Sequence, residues 1–137
     1  MSRINDLQPG DLLPDTEYIT DITQQFIYNA ALWNAHRIHF DYAYATEVEG
    51  YPGLVIAGPL MGDWLTQCVN DWLGDDGQLV SFEYSNRHAA YVGDVLHSGG
   101  KVVSIEAETG MVILELQVTN EAGEIVTPGA AVVRFAD

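Results

Sequence analysis

Two histidines and an amide share one short stretch, Asn34-Ala-His36-Arg-Ile-His39-Phe-Asp41, and a Gly58-Pro59 step follows after Gly50-Tyr-Pro-Gly-Leu-Val-Ile-Ala57. Histidine, with an ordinary pKa of about 6.5, takes or gives a proton at neutral pH. A Gly-Pro step suits a helix start, because proline at the first helical position lacks an N–H that would have no partner there anyway. The amides left free at such a terminus carry partial positive charge and can hold an oxyanion. A base together with an anion-holding helix end is equipment for proton chemistry beside a carbonyl. Pro59 removes one donor, which leaves Gly58, Leu60 and Met61 as the expected oxyanion amides.

The surrounding elements must bring these groups together. Gln8 to Pro14 is an extended, turn-rich lead-in, since two prolines and a glycine disfavour a helix. Glu17 to Ile19 reads as a short edge strand. Asp21 is placed as a helix N-cap with Gln24 as its capping-box partner. From there Ile22, Phe26, Ile27, Ala30 and Trp33 recur at helical spacing and predict one apolar face, so this helix delivers Asn34 and the histidines at its C-terminal end. Asp41 to Val48 predicts a short helix and Glu49 to Gly53 a turn. Leu60, Trp64, Leu65, Cys68, Val69 and Trp72 give a second, broader apolar face that stops at Gly74, which makes this the buried central helix.

Beyond Gly74 the period changes from helical to alternating. Val80 to Tyr84, Asp94 to Ala107, Val112 to Val118 and Ala131 to Phe135 predict strands, with a bulge or bend at Ser98-Gly-Gly100. Thr109-Gly110 and Asn120 to Gly123 predict hairpin turns. The pattern implies an α+β fold, an antiparallel sheet with helices on one face.

Composition narrows the function classes. A chain of 137 residues fits one domain, 1–137, and at this size about 65–70 % of the unfolded surface is buried, enough for a proper core. The single cysteine, Cys68, excludes an intrachain disulfide framework and a cysteine-built metal site. No cofactor or metal is expected. The net charge of −15, from 20 acidic against 5 basic residues, argues against nucleic acid or anionic membranes as partners. Any ligand phosphate must be met by backbone amides or by few cations, chiefly Arg37, Arg87, Lys101 and Arg134. The N-terminal Met-Ser-Arg-Ile-Asn-Asp lacks the apolar core of a signal peptide and no run approaches a membrane span, so a soluble cytoplasmic protein is expected.

The stretch Asn34 to Asp41, the later Glu49-Gly-Tyr-Pro-Gly-Leu-Val-Ile-Ala-Gly58-Pro-Leu, and Arg87 ahead of Tyr91-Val-Gly93-Asp94 resemble the MaoC-like hot-dog hydratases. The likeness is strongest to the branch of 3-hydroxyacyl-thioester dehydratases and mesaconyl-CoA hydratases. It implies a single hot-dog fold, a curved antiparallel sheet wrapped around a long central helix, normally assembled from two such units. It also implies reversible addition of water to an enoyl thioester of coenzyme A or an acyl carrier, usually with R stereochemistry. The wider family's Asp-x-Asn-Pro-x-His-x-Asp signature ends here on His39-Phe-Asp41. The match makes His39 the expected catalytic base and places Asn34 where the family carries its catalytic aspartate. An amide orients water but exchanges no proton at ordinary pH, so His36 is expected as the partner acid. The resemblance favours Gly58 among the amides and adds Arg87 to the substrate contacts.

Two other functions compete with hydration. Some hot-dog thioesterases use a carboxylate on the central helix, and Asp63 lies near its start. A non-catalytic subunit paired with an active homologue would also explain Asn34. A single hot-dog unit leaves a sheet edge open, so at least a homodimer is expected, with a related subunit as the alternative partner. Trp33, Trp64 and Trp72 are expected in core or dimer packing, His88 and His97 at the surface without evident partners, and Cys68 as an inert buried thiol.

Overall fold

The computed structural model describes residues 3–137; Met1 and Ser2, the start of the N-terminal run discussed above, lie outside the described residues. In order come β1 (Thr16–Ile19), α1 (Ile22–Ala31), α2 (Gly58–Leu73), β2 (Gly77–Tyr84), β3 (Val95–Glu106), β4 (Met111–Thr119) and β5 (Ile125–Phe135). All pairings are antiparallel, in the order β1-β3-β4-β5-β2. The strand alternation is legible in the burial. Val112, Leu114, Leu116 and Val118 of β4 are buried at 0–1 % exposure, whereas Ile113 between them is 44 % exposed. Those inward side chains meet Leu60, Met61, Trp64, Leu65, Cys68, Val69 and Leu73 of α2 in one core. Gly62 permits the close approach: a Cβ there would lie 2.6 Å from the Tyr84 ring.

The predicted hairpin turns carry glycines at positive φ, Gly110 at 76° and Gly123 at 80°. The expected bulge at Ser98 to Gly100 is not there. Those residues pair regularly with Val118, Gln117 and Leu116, and the register shifts between Val102 and Ser104 instead. Gly100 serves close packing, since a Cβ would fall 2.5 Å from the Glu115 carbonyl oxygen. The residues 41–48 form a helical turn that widens to a π-type turn at Tyr44–Val48.

α1 overturns an expectation. Its apolar face points outward: Ile22, Phe26 and Ile27 are 57–61 % exposed and Trp33 is 94 % exposed, while the buried positions are Gln25 and Asn29. The N-cap is as expected, with Asp21 Oδ1 accepting from Gln24 N at 2.6 Å. The inversion has a local cause. The inner face of α1 lies over irregular backbone rather than over the sheet, and such backbone needs hydrogen-bond partners that an apolar stripe cannot supply. Trp64 and Trp72 do join the packing, Trp64 stacked on Tyr18 with ring centroids 4.3 Å apart and Trp72 edge-on to Phe135.

This arrangement predicts unequal costs in urea unfolding under conditions where the chain is monomeric. Leu65→Ala should cost about 2–5 kcal/mol through cavity formation. Ile27→Ser should stay within about 0.5 kcal/mol, and a loss comparable to Leu65→Ala would show that α1 packs by its apolar face.

Candidate active site

The histidine stretch is held by its own short-range bonds. Just past the end of α1, Trp33 has a φ of 56°, a left-handed conformation usually left to glycine, and Asn34 N then donates to Asn29 O at 2.9 Å. Asn34 Oδ1 accepts from His36 N at 3.2 Å, and His36 Nδ1 accepts from Ile38 N at 3.3 Å, opening a 3-10 turn at Arg37–His39. Arg37 NH2 meets Asp41 Oδ2 at 2.8 Å, and Asp41 Oδ1 accepts from Tyr44 N at 3.0 Å. The Arg37 hydrogen bond and the Tyr44 N–H hold the Asp41 carboxyl below the usual range. The Asp41 carboxylate is thus occupied in building the turn.

His39 is the buried member, 8 % exposed. Its Nδ1 lies 2.7 Å from the Val55 carbonyl oxygen. A carbonyl only accepts, so Nδ1 carries the proton and the lone pair is on Nε2. Burial pushes the His39 pKa below its ordinary value; the bond to Val55 opposes this, and His36, with its ring centroid 5.8 Å away, adds to it. In neutral His36 the engaged Nδ1 lone pair places the proton on Nε2.

A cleft of about 220 Å³ brings His39 together with Gly58, Met61, Asn86, Arg87 and His88. Gly58 opens α2 after Ala57, and its first-turn N–H is not spent within the helix. The Leu60 N–H, by contrast, donates to Ala57 O at 3.0 Å, which leaves Gly58 and Met61 as the two of the three expected amide positions that line the cleft. A Cβ on Gly58 would overlap the Asn86 amide and displace it from the cleft. Asn86 Oδ1 accepts from the buried Thr127 hydroxyl at 2.9 Å, so its Nδ2 is the end turned toward Gly58. Arg87 Nε donates to Ser85 Oγ at 2.9 Å, and among the described residues no carboxylate pairs with it. His36 and Asn34 do not line this cleft. Asn34 borders a separate apolar hollow of about 300 Å³ with Phe26, Ala30, Trp33 and Phe40.

Three contributors escaped the sequence reading. Gln25 is fully buried and gives Nε2 to His39 O (3.0 Å) and Val55 O (2.6 Å) while Oε1 accepts from Ala57 N (3.1 Å). Asn86 and His88 lie in a strand-to-strand connection whose polarity looked ordinary. Of the other conspicuous residues, His97 has a partner after all, its Nδ1 lying 2.8 Å from Asp15. Cys68 is buried with its thiol pushed up to about 11 by burial, so it is inert at neutral pH. Asp63 accepts from Tyr28 OH at 2.6 Å and is not among the residues lining the His39 cleft.

A five-strand antiparallel sheet curled around one central helix, with the histidine turn at the helix N-terminus, defines a MaoC-like hot-dog unit. Residues 10–92 match the family model of hydroxyacyl-thioester dehydratase type 2, and the chain belongs to that family. It is 58 % identical over 58 residues to mesaconyl-C(4)-CoA hydratase of Chloroflexus aurantiacus, a match covering 39 % of this chain and 21 % of that protein. The fold agrees with a MaoC-like dehydratase at a TM-score of 0.88, with 22 % identity, covering 97 % of this chain and 42 % of that one. It agrees with an (R)-hydratase from A. caviae at 0.86, with 17 % identity, covering 95 % and 98 %. The match thus spans about a fifth of the Chloroflexus hydratase, and the chain about two fifths of the longer MaoC-like dehydratase. Among the described residues no helix is long and apolar enough to cross a membrane.

The His39 geometry predicts an imidazole that titrates below its free value of about 6.5. Nitrogen-15 NMR of the histidines should show an Nδ1–H tautomer at neutral pH for the ring assigned to His39. Because the folded pKa is lowered, its contribution to stability is present above the unfolded pKa and is lost as pH falls through the folded one. A midpoint above 6.5, or an Nε2–H tautomer, would contradict the site as drawn.

Proposed function

We propose that the chain catalyses the reversible hydration of an enoyl thioester to a 3-hydroxyacyl thioester. The observation that carries this is a buried, neutral His39 with Nε2 unspent in the same cleft as the Gly58 helix terminus. Nε2 takes a proton from water as the water oxygen bonds to the carbon β to the carbonyl. The double-bond electrons move toward the thioester oxygen, where the Gly58 N–H and Asn86 Nδ2 meet the growing negative charge. The proton held on His39 Nε2 then returns to the α carbon as the carbonyl re-forms; His36, on the same turn with its ring centroid 5.8 Å from that of His39, partners the base from outside the cleft. Asn34 acts by shaping the turn that carries both histidines. Met61 lines the floor and Leu60 supports the helix terminus. Arg87, without a carboxylate partner, is the cation for a phosphate of coenzyme A or a carrier's phosphopantetheine arm. We take the product to be the R hydroxyacyl thioester and the setting to be cytoplasmic. No metal or other cofactor is invoked.

The working assembly contains two hot-dog units, with a second copy of this chain as the first choice and a related subunit as the alternative. The outward apolar face of α1 supports this, as does the greater length of the relatives. Sedimentation at micromolar concentration should give a dimer or larger species, and a clean monomer would overturn the self-association.

The reaction is tested by loss of enoyl-thioester absorbance over a panel of short, branched and long acyl-CoAs. His39→Ala should lower kcat/KM by about 10²–10⁴-fold per folded molecule, the usual worth of a general base, while the chain still folds. Asn86→Asp, which replaces a donor by an acceptor, should be worse than Asn86→Ala. Release of free thiol that depends on Asp63 and not on His39 would replace the hydratase by a thioesterase.

A further inference from the structure

Gln25 is buried on α1, a helix that contributes no side chain to the cleft, and its amide is spent on three backbone groups of the active segment. A buried glutamine tying a loop is ordinary. What distinguishes this one is the identity of its partners. The Val55 carbonyl accepts from Gln25 Nε2 at 2.6 Å and from His39 Nδ1 at 2.7 Å, so both its lone pairs are committed. The other Nε2 hydrogen goes to the carbonyl of His39 itself at 3.0 Å. Oε1 holds the N–H of Ala57, the residue whose peptide link to Gly58 orients the Gly58 N–H. One side chain thereby fixes the backbone of the base, the acceptor that orients its ring, and the start of the helix that faces the charge.

We propose that Gln25 is a positioning residue for hydration, which sets the separation of His39 from the Gly58 amide and holds the His39 ring with Nε2 toward the substrate. The inference rests on the hydratase reading of the cleft. Its mechanism is geometric, because a misplacement of about 1 Å in such a constellation costs on the order of a hundredfold in rate. The titratable or charged groups that face His39 are His36 on its own turn and Arg87 and His88 from the connection after β2; α2 offers only uncharged Gly58 and Met61 to the cleft.

The test uses the full chain with two variants. Gln25→Met keeps the shape and removes all three bonds. It should lower kcat at least about tenfold per folded molecule with little change in KM, and the His39 ring should lose its single Nδ1–H tautomer in nitrogen-15 NMR. Gln25→Glu is isosteric and keeps the acceptor for Ala57 N–H but removes the two Nε2 donors to His39 O and Val55 O, so it should likewise lower kcat per folded molecule and blur the single Nδ1–H tautomer. It serves if Gln25→Met does not fold. A merely structural glutamine predicts lost stability with unchanged tautomer and rate per folded molecule, and that result overturns the inference. The NMR readout needs no turnover, so an inactive wild type would sink the hydratase reading while the tautomer still decides whether Gln25 sets the ring.

Discussion

The Val55 carbonyl oxygen has two lone pairs, and the organisation of the site follows from how they are used. One fixes the tautomer of His39; the other receives Gln25. The Val55 N–H in turn donates to Ile38 O at 3.0 Å, and the adjoining Ile56 N–H to Ala90 O at 2.8 Å. This irregular strand, too short to join the sheet, is therefore held on both sides: by the histidine turn and by the connection that carries Asn86 and Arg87. Buried hydrogen-bonding groups are costly to leave unmet, so these bonds make one arrangement of three separate loops far better than its neighbours.

That requirement explains the inverted helix. To serve the loops, α1 must turn Gln25 and Asn29 inward, and helical geometry then forces Ile22, Phe26 and Ile27 out. An exposed apolar strip of this kind is a surface that another protein can cover, which is why it supports the two-unit assembly proposed above. The bracing of the His39 segment and the exposure of the apolar strip are two consequences of the same helix orientation.

The sheet and α2 were legible because their signals are hydrophobic periods, and burial follows periods wherever an element packs on a large apolar surface. Gly58-Pro59 was legible as a helix start for a local steric reason. α1 had an equally clear period that pointed the wrong way, because its neighbour is backbone rather than a core. Gln25 left no signal: among adjacent glutamines, Gln24 looked like the capping residue, and only the fold shows that the next one reaches residues 14, 30 and 32 positions further along. Asn86 was hidden for the same reason, its partner Thr127 lying 41 positions away. The misplaced bulge shows the limit of reading glycine pairs, since Gly100 answers to the Glu115 backbone and not to strand curvature.

In the proposed mechanism an amide at position 34 has the advantage of adding no charge to the turn that carries the histidines. A base that must accept a proton at neutral pH has to stay neutral beforehand, and a carboxylate partner would stabilise the imidazolium and raise its pKa. In a chain with so large an excess of acidic groups, the overall field already favours protonated histidine. Here the ring is oriented by a backbone carbonyl, which carries a dipole and no net charge, and burial keeps the neutral form favoured. Asn34 meanwhile spends its oxygen on the His36 N–H within the turn. The proposed division of labour follows: a backbone dipole aims the His39 ring, burial favours its neutral form, and Asn34 holds the backbone of the turn.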